Sequence, residues 1–253
     1  MADPSILTRP DGTAIAYHHL PGKNKPDKMP GVIFCGGFMS DMEGGKALAM
    51  EAHCRATGQS FTRFDYRGHG SSSGDFADGT IGLWKEDALA VLDEVTSGPQ
   101  IVVGSSMGGW IMLLMAAARP ARIHALVGIA PAPDFVLRMW AEFPTDVQAE
   151  IMREGRFARP SEYGDEPYII TRNLIEDGRA NLVLDKPLAL HCPVRILHGM
   201  QDPDVPWRLS LDLVDKLQSG DVEVTFIKNG DHRLSEPADL ARLLKTVDGL
   251  SAR

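Results

Sequence analysis

Among the groups able to do chemistry, one serine stands in a pattern of its own. Ser106 lies in Gly104-Ser105-Ser106-Met107-Gly108-Gly109, between the apolar run Ile101-Val102-Val103 and an apolar helical stretch from Met107 to Ala118. Gly-x-Ser-x-Gly between a strand and a helix is the pattern of a nucleophile elbow. The turn is sharp, so the residues two positions either side must be small enough to let neighbouring backbone approach. Gly104 and Gly108 occupy those positions, which selects Ser106 over Ser105. The N-terminus of the following helix adds partial positive charge and free N–H groups. The Met107 N–H is one expected oxyanion donor. The second is expected from Gly36-Gly37-Phe38-Met39, the loop after the strand Val32 to Cys35. There the Phe38 N–H would donate and the Phe38 ring would line an acyl pocket.

A serine hydroxyl needs a base to take its proton, and the chain offers eight histidines. His18 and His19 fall in an N-terminal hairpin ahead of the main sheet. His53 falls inside a helix, and His69 in a Gly-rich loop. His124 and His191 fall at the wrong ends of strands for a site at strand C-termini. His198 ends a strand beside Gly199, where packing or hydrogen bonding under an acid loop is expected of it. His232 lies in Asn229-Gly230-Asp231-His232-Arg233, a loop after the last strand, where a base can reach the elbow. The base needs a carboxylate to fix its tautomer. Asp134, Asp202 and Asp204 are the candidates at strand ends after Ser106. Asp202 is the expected acid, in the turn His198-Gly199-Met200-Gln201-Asp202; Asp204 suits a turn or helix-capping role better. The order is then Ser106, Asp202, His232, at spacings of 96 and 30 positions. This is the chain order of the α/β-hydrolases.

Those residues need a scaffold, and the surrounding pattern supplies one. Ser5 to Tyr17 reads as a hairpin around Asp11-Gly12. Gly22 to Pro30, with Lys23, Lys25, Asp27 and Lys28, reads as a solvated loop. Strand-like segments at 32–35, 60–66, 101–103, 125–129, 194–197 and 222–227, most of them apolar runs, alternate with helical stretches at 45–57, 81–96, 107–118, 207–218 and 237–250. Continuous apolar strands separated by helices predict a mostly parallel central sheet covered on both faces. The rhythm pauses between Pro133 and Pro193. That stretch reads as mostly helical and irregular, and it carries Trp140, Phe143, Phe157, Tyr163 and Tyr168. We read residues 134–192 as a cap insertion within one domain spanning 1–253. Asp65 to Ser72 is expected to be a Gly-rich connection held by Asp–Arg and Ser–backbone bonds. It lacks the Gly-Lys-Ser/Thr ending of a phosphate loop.

Composition narrows the field. The chain has 253 residues, 43% of them hydrophobic and 24% charged, enough apolar material for a full core. Its net charge of −8 speaks against a nucleic-acid partner. No apolar run is long enough to span a membrane. Three cysteines, Cys35, Cys54 and Cys192, without repeated spacing argue against a disulfide framework and against a zinc site. Met1-Ala2-Asp3-Pro4-Ser5 shows neither a basic nor an apolar targeting region. A cytoplasmic location is the expectation from these two observations.

Gly104 to Gly109, His198 to Pro206 and Gly230 to His232 resemble the triad motifs of the α/β-hydrolase superfamily, and Asp65 to Ser72 resembles its usual loop after the fourth strand. Gly-Ser-Ser-Met-Gly-Gly-Trp at 104–110, Gly-Met-Gln-Asp at 199–202, Val-Pro-Trp at 205–207 and Asp-His-Arg at 231–233 resemble more closely α/β-hydrolase domain-containing protein subfamily ten. Its members are mitochondrial enzymes described as acyl-protein (palmitoyl) thioesterases and acyl-glucuronide esterases. The likeness runs from about Gly31 to the C-terminus and is patchier between Arg138 and Leu190. The chain departs in having Gly36-Gly37-Phe38 where a Pro-Gly-aromatic loop is expected, and in showing no transit peptide.

The residues therefore predict a serine hydrolase cleaving esters or thioesters through an acyl-enzyme, with no metal and no cofactor. The resemblance implies small-molecule or acylated-protein substrates. Phe38, Trp140, Phe143 and Trp207 are the expected substrate-binding residues, with Met139 and Met152 adding an adaptable apolar wall. The same apolar residues would equally serve to glue the cap down. Arg138, Arg153 or Arg156 would meet an anionic group such as a glucuronate carboxylate. The alternatives are carbon–carbon bond hydrolysis or perhydrolysis on the same triad, or a catalytically weak ligand- or partner-binding member of the fold. A haloalkane dehalogenase is disfavoured, since Asp would stand where Ser106 does.

Overall fold

The structure is a computed structural model that describes residues 3–23, 29–159 and 167–252. Lys25, Asp27 and Lys28 of the predicted loop, and Tyr163 of the predicted insertion, lie outside the described residues.

Strands β1 (Ser5–Thr8), β2 (Ala14–Leu20), β3 (Gly31–Cys35), β4 (Phe61–Phe64), β5 (Gln100–Ser105) and β6 (Ile123–Ile129) belong to one eight-stranded sheet. Two further members are β9 (Val194–Gly199) and β10 (Val222–Ile227). The spatial order is β1-β2-β4-β3-β5-β6-β9-β10. The pairs β1·β2 and β2·β4 are antiparallel, and every later pair is parallel. The predicted hairpin is present, with Gly12 at φ 86° and Asp11 Oδ1 accepting the Thr13 N–H. β2, however, continues past Tyr17 and pairs with β4 from Tyr17↔Phe64 to Leu20↔Phe61. His18 and His19 are thus members of the main sheet.

Alternate side chains of the central strands feed two cores. Val32, Phe34, Ile101, Val103, Ala125 and Val127 pack on one face with residues of α1 (Gly45–Thr57) and α8 (Pro237–Ser251). Ile33, Cys35, Val102 and Leu126 pack on the other with α2 (Ile81–Ala90), α3 (Met107–Ala118) and Leu213 of α7 (Leu209–Lys216). Both faces are dry, which is why the strands read as unbroken apolar runs. The predicted helix over 81–96 ends as a π turn at Val91–Val95, and the one predicted from Trp207 starts at Leu209. No described helix is long and apolar enough to cross a membrane.

Between β6 and β9 the chain forms α4 (Phe135–Glu142), α5 (Thr145–Glu154), β7 (Arg156–Arg159), β8 (Tyr168–Thr171) and α6 (Arg172–Ala180). β7 and β8 make a separate antiparallel ribbon, Arg156↔Thr171 to Arg159↔Tyr168. The reading of this stretch as mostly helical missed it. Four residues per strand are too few for a period-2 pattern to show against neighbouring helices.

Candidate active site

Ser106 sits at the tip of β5 with φ 54° and ψ −118°, backbone angles an L-residue rarely adopts. The strain is held by its neighbours. The Ser106 N–H donates to the Ile129 carbonyl at 2.9 Å, and the Ser106 carbonyl accepts from Gly109 at 2.9 Å and Ala132 at 3.0 Å. A Cβ on Gly104 would run into the Gly108 carbonyl, and one on Gly108 into the Cys35 carbonyl. Bare glycine at both positions is therefore what lets the turn close against β3. Met39, Ala130, Asp134 and Leu234 also have positive φ. With Ser106 they are the non-glycine residues in that state among the described residues, and all five follow C-terminal ends of sheet strands. Strain gathered at one edge of a sheet marks that edge as a candidate site.

The structure brings Ser106, His232 and Asp202 together from three separate turns. His232 Nε2 lies 3.2 Å from Ser106 Oγ, and His232 Nδ1 lies 2.7 Å from Asp202 Oδ2. Asp202 is fully buried, and its Oδ1 accepts the N–H groups of Asp204 and Val205, each at 2.8 Å. Burial by itself would raise this carboxyl. Hydrogen bonds from His198 and His232, the His232 charge and the Val205 N–H outweigh it and hold the group well below the usual carboxylate range. A hydroxyl, an imidazole and an ionised carboxylate in this sequence can draw the proton off the hydroxyl.

The other acid candidates are placed elsewhere. Asp204 lines the cavity, but its backbone N–H serves Asp202. Asp134 accepts the Val183 and Leu184 N–H groups at 2.9 and 2.8 Å, which ties the two ends of the β6–β9 excursion together. His198 is fully buried beneath Asp202. Asp65 binds the Met42 and Ser71 N–H groups, at 2.7 and 2.8 Å, whereas Arg67 pairs with Asp87. The Asp65 loop is thus a structural connection, though not through the expected Asp–Arg bond.

A cavity of about 690 Å³ opens over Ser106. Gly37, Phe38, Ser106, Met107 and His232 form its floor. Among the described residues the Phe38 and Met107 N–H groups have no backbone partner, and both flank Ser106. The Phe38 ring is the hub of an aromatic cluster, 4.8 Å from Phe76, 5.6 Å from Phe135 and 5.9 Å from Tyr168, all edge-on. The excursion roofs the cavity with Phe135, Met139, Tyr168 and Ile170.

Three of the expected substrate-binding residues do not line it. Trp207 packs edge-on against Phe226 at 5.0 Å under the Arg208 guanidinium. Trp140 lies beneath Arg179, 4.9 Å from its guanidinium carbon, and Phe143 packs on Phe157 at 5.8 Å. Arg153 is exposed and paired with Glu154. Arg138 does line the cavity, bonding to the Asp204 carbonyl and to Glu142. Lys46, Arg159 and Arg233 join it, residues that carry no local sequence pattern to single them out. Burial lowers the Lys46 ammonium, with Asp231 opposing.

The fold and the geometry can now be set beside known proteins. The profile of the alpha/beta hydrolase family matches residues 32–243. The chain belongs to that family and is an enzyme of it, a hydrolase. Within the family it is 44% identical over 247 residues to the rat (Rattus norvegicus) palmitoyl-protein thioesterase ABHD10, mitochondrial, covering 97% of this chain and 82% of the rat protein. The solved structure of alpha/beta hydrolase domain-containing protein 10 from mouse superposes with a TM-score of 0.90 at 44% identity, over 98% of each chain. A bacterial structure, from Agrobacterium vitis S4, superposes with a TM-score of 0.93 at 42% identity, again over 98% of each chain. The resemblance to subfamily ten is therefore upheld. The cytoplasmic location is not: the relatives carry names that point to the mitochondrion. Cysteine usage reports a reducing environment, which does not separate one such compartment from another.

Proposed function

We propose that Ser106, His232 and Asp202 are nucleophile, base and acid of a hydrolase that cleaves acyl thioesters and esters, with a long apolar acyl group as the preferred half of the substrate. The observation that carries this reading is the unbroken chain Ser106 Oγ, His232 Nε2, His232 Nδ1, Asp202 Oδ2, with separations of 3.2 and 2.7 Å, at the floor of the cavity. His232 holds its proton on Nδ1 toward Asp202, which leaves Nε2 free to accept. Ser106 Oγ attacks the acyl carbonyl as its proton passes to Nε2. The Phe38 and Met107 N–H groups receive the oxyanion. The imidazolium, stabilised by Asp202, gives its proton to the departing thiolate or alkoxide. Water then attacks the acyl-enzyme, loses a proton to His232 and releases the acid, which restores Ser106.

The apolar roof of Phe135, Met139, Tyr168 and Ile170 supports an aliphatic acyl chain. The thioesterase relatives support a thioester link. Residues 134–192 act in this reading as a cap within the single domain. The cationic side chains of Lys46, Arg138, Arg159 and Arg233 in the wall favour a second reading, an acyl ester whose leaving group bears a carboxylate, such as an acyl glucuronide. Hydrolysis of an S-palmitoyl peptide, an octanoyl thioester and an acyl glucuronide, by wild type and by Ser106→Ala, separates the two. The first reading expects the palmitoyl peptide to have the highest kcat/KM and Ser106→Ala to lose turnover of all three. Turnover that survives Ser106→Ala contradicts the proposal.

A further inference from the structure

We propose that His198 is a positioning residue of this site, donating a hydrogen bond that holds the Asp202 carboxylate in place for His232. The inference rests on the triad reading above. His198 lies on β9, among Val194, Ile196 and Leu197, and its ring is fully buried. Were packing its purpose, an apolar residue would serve, since a buried imidazole must have both nitrogens satisfied.

Both nitrogens are satisfied, in a way that fixes the tautomer. Nε2 lies 3.0 Å from the Val205 carbonyl oxygen and 3.3 Å from Asp202 Oδ2. Both are acceptors, so Nε2 carries the proton. Nδ1 then holds the lone pair, and the fully buried Ser210 hydroxyl donates to it across 2.7 Å. Ser210, one residue into α7, thus locks the ring that braces Asp202. Oδ1 accepts the Asp204 and Val205 N–H groups, and Oδ2 accepts His232 Nδ1–H and lies 3.3 Å from His198 Nε2, whose proton is shared between the Val205 carbonyl and this oxygen. The single ring also ties the two ends of the turn 202–205 together.

Removing the His198 donor leaves Oδ2 bonded to His232 alone. The carboxylate is then freer to rotate, and its charge, shared with fewer donors, holds the His232 proton more strongly. Turnover falls, and the acid limb of kcat/KM moves to higher pH. The charged groups around His232 are Asp202 on its Nδ1 side, and Asp204, Lys46 and Arg233 on the cavity wall, with Asp231 preceding it in sequence. None of them changes in the His198 variants below. The charged group against the His198 ring is Asp202.

The test is the pH dependence of acyl-thioester hydrolysis, from about pH 5 to pH 9, by wild type, His198→Phe, His198→Gln, Ser106→Ala and Asp202→Asn. His198→Phe, which lacks a donor, is expected to lower kcat about tenfold and to raise the acid limb by on the order of half a pH unit. His198→Gln, whose amide N–H can reach the place of Nε2, is expected to recover most of both. A wild-type profile in His198→Phe overturns the inference, as does a loss that His198→Gln leaves unrepaired while folding cooperatively. Nitrogen-15 NMR of the wild-type protein reads the same point without substitution. It should show His198 as the Nε2–H tautomer; a proton on Nδ1 overturns the inference. Loss of turnover in Ser106→Ala and Asp202→Asn with no effect in His198→Phe would reject the positioning role and leave the triad standing. Full turnover in Ser106→Ala would reject the triad and this inference with it.

Discussion

Ser106, Asp202 and His232 stand on turns that follow strands buried on one or both faces, whereas Phe135, Met139, Tyr168 and Ile170 reach the same cavity from short helices and a two-stranded ribbon. The first region is over-determined. Its turns are pinned by backbone hydrogen bonds, and its strained residues cluster there. The second region is tied to the first at a few polar points. Asp134 binds the Val183 and Leu184 N–H groups, Asp177 accepts the Gly82 N–H at 2.6 Å, and Trp110 Nε1 donates to the Asn181 carbonyl at 3.1 Å. The difference separates two tasks. Chemistry needs geometry held within fractions of an ångström, and the sheet edge provides it. Substrate choice needs apolar surface of the right shape, which short elements supply and can alter without disturbing the turns.

The largest effects are expected at the sheet edge. Ser106→Ala should lower kcat on the order of 10⁶-fold with folding intact. Asp202→Asn should cost on the order of 10⁴-fold, while Asp204→Asn stays within about threefold, since it is the Asp204 backbone that serves the acid. The reverse ranking in steady-state kinetics would move the acid to Asp204.

A third prediction concerns stability beneath the Phe38 cluster. His69 packs edge-on against Tyr66, Phe76 and Trp84, and burial pushes it down to about 4 from an ordinary 6.5. A base with a depressed folded pKa binds fewer protons folded than unfolded. Its contribution is therefore fully present above about pH 6.5 and is lost as pH falls toward 4, by about 3 kcal/mol in all. His69→Phe should flatten the fall in melting temperature between those two pH values; an equal fall in both proteins would show that His69 does not carry it.

The smallest effects belong to the roof. Phe135→Ala or Ile170→Ala should change the ratio of kcat/KM for long and short acyl chains about tenfold. Trp140→Ala and Trp207→Ala should leave that ratio near wild type, because neither ring lines the cavity. A shift in the ratio from Trp207→Ala equal to that from Phe135→Ala would erase the distinction between the two sets of residues.

These contrasts also explain what could be read from the chain alone. Central strands such as Val32 to Cys35 are legible because both faces are covered, so they appear as apolar runs. Ser106 is legible because its turn admits only small residues at 104 and 108. Asp202 and His232 are legible because strand ends and chain order confine them. The roof is not legible in that way. Trp140, Phe143 and Trp207 announce burial by their type, but a type does not say which side of an element faces a cavity. Lys46, Arg159 and Arg233 come from distant elements and carry no local pattern. The ribbon of β7 and β8 is too short to declare a period. His198, read as a residue under the acid loop, lies there, but only its three partners and buried setting show what it can hold.

Ser106 is, in the proposed function, the activated nucleophile. Intact-mass analysis after treatment with a fluorophosphonate, on wild type and Ser106→Ala side by side, tests it most directly. One adduct is expected on wild type, mapped to Ser106, and none on the variant. Equal labelling of both proteins, or an adduct mapped to another residue, would contradict it.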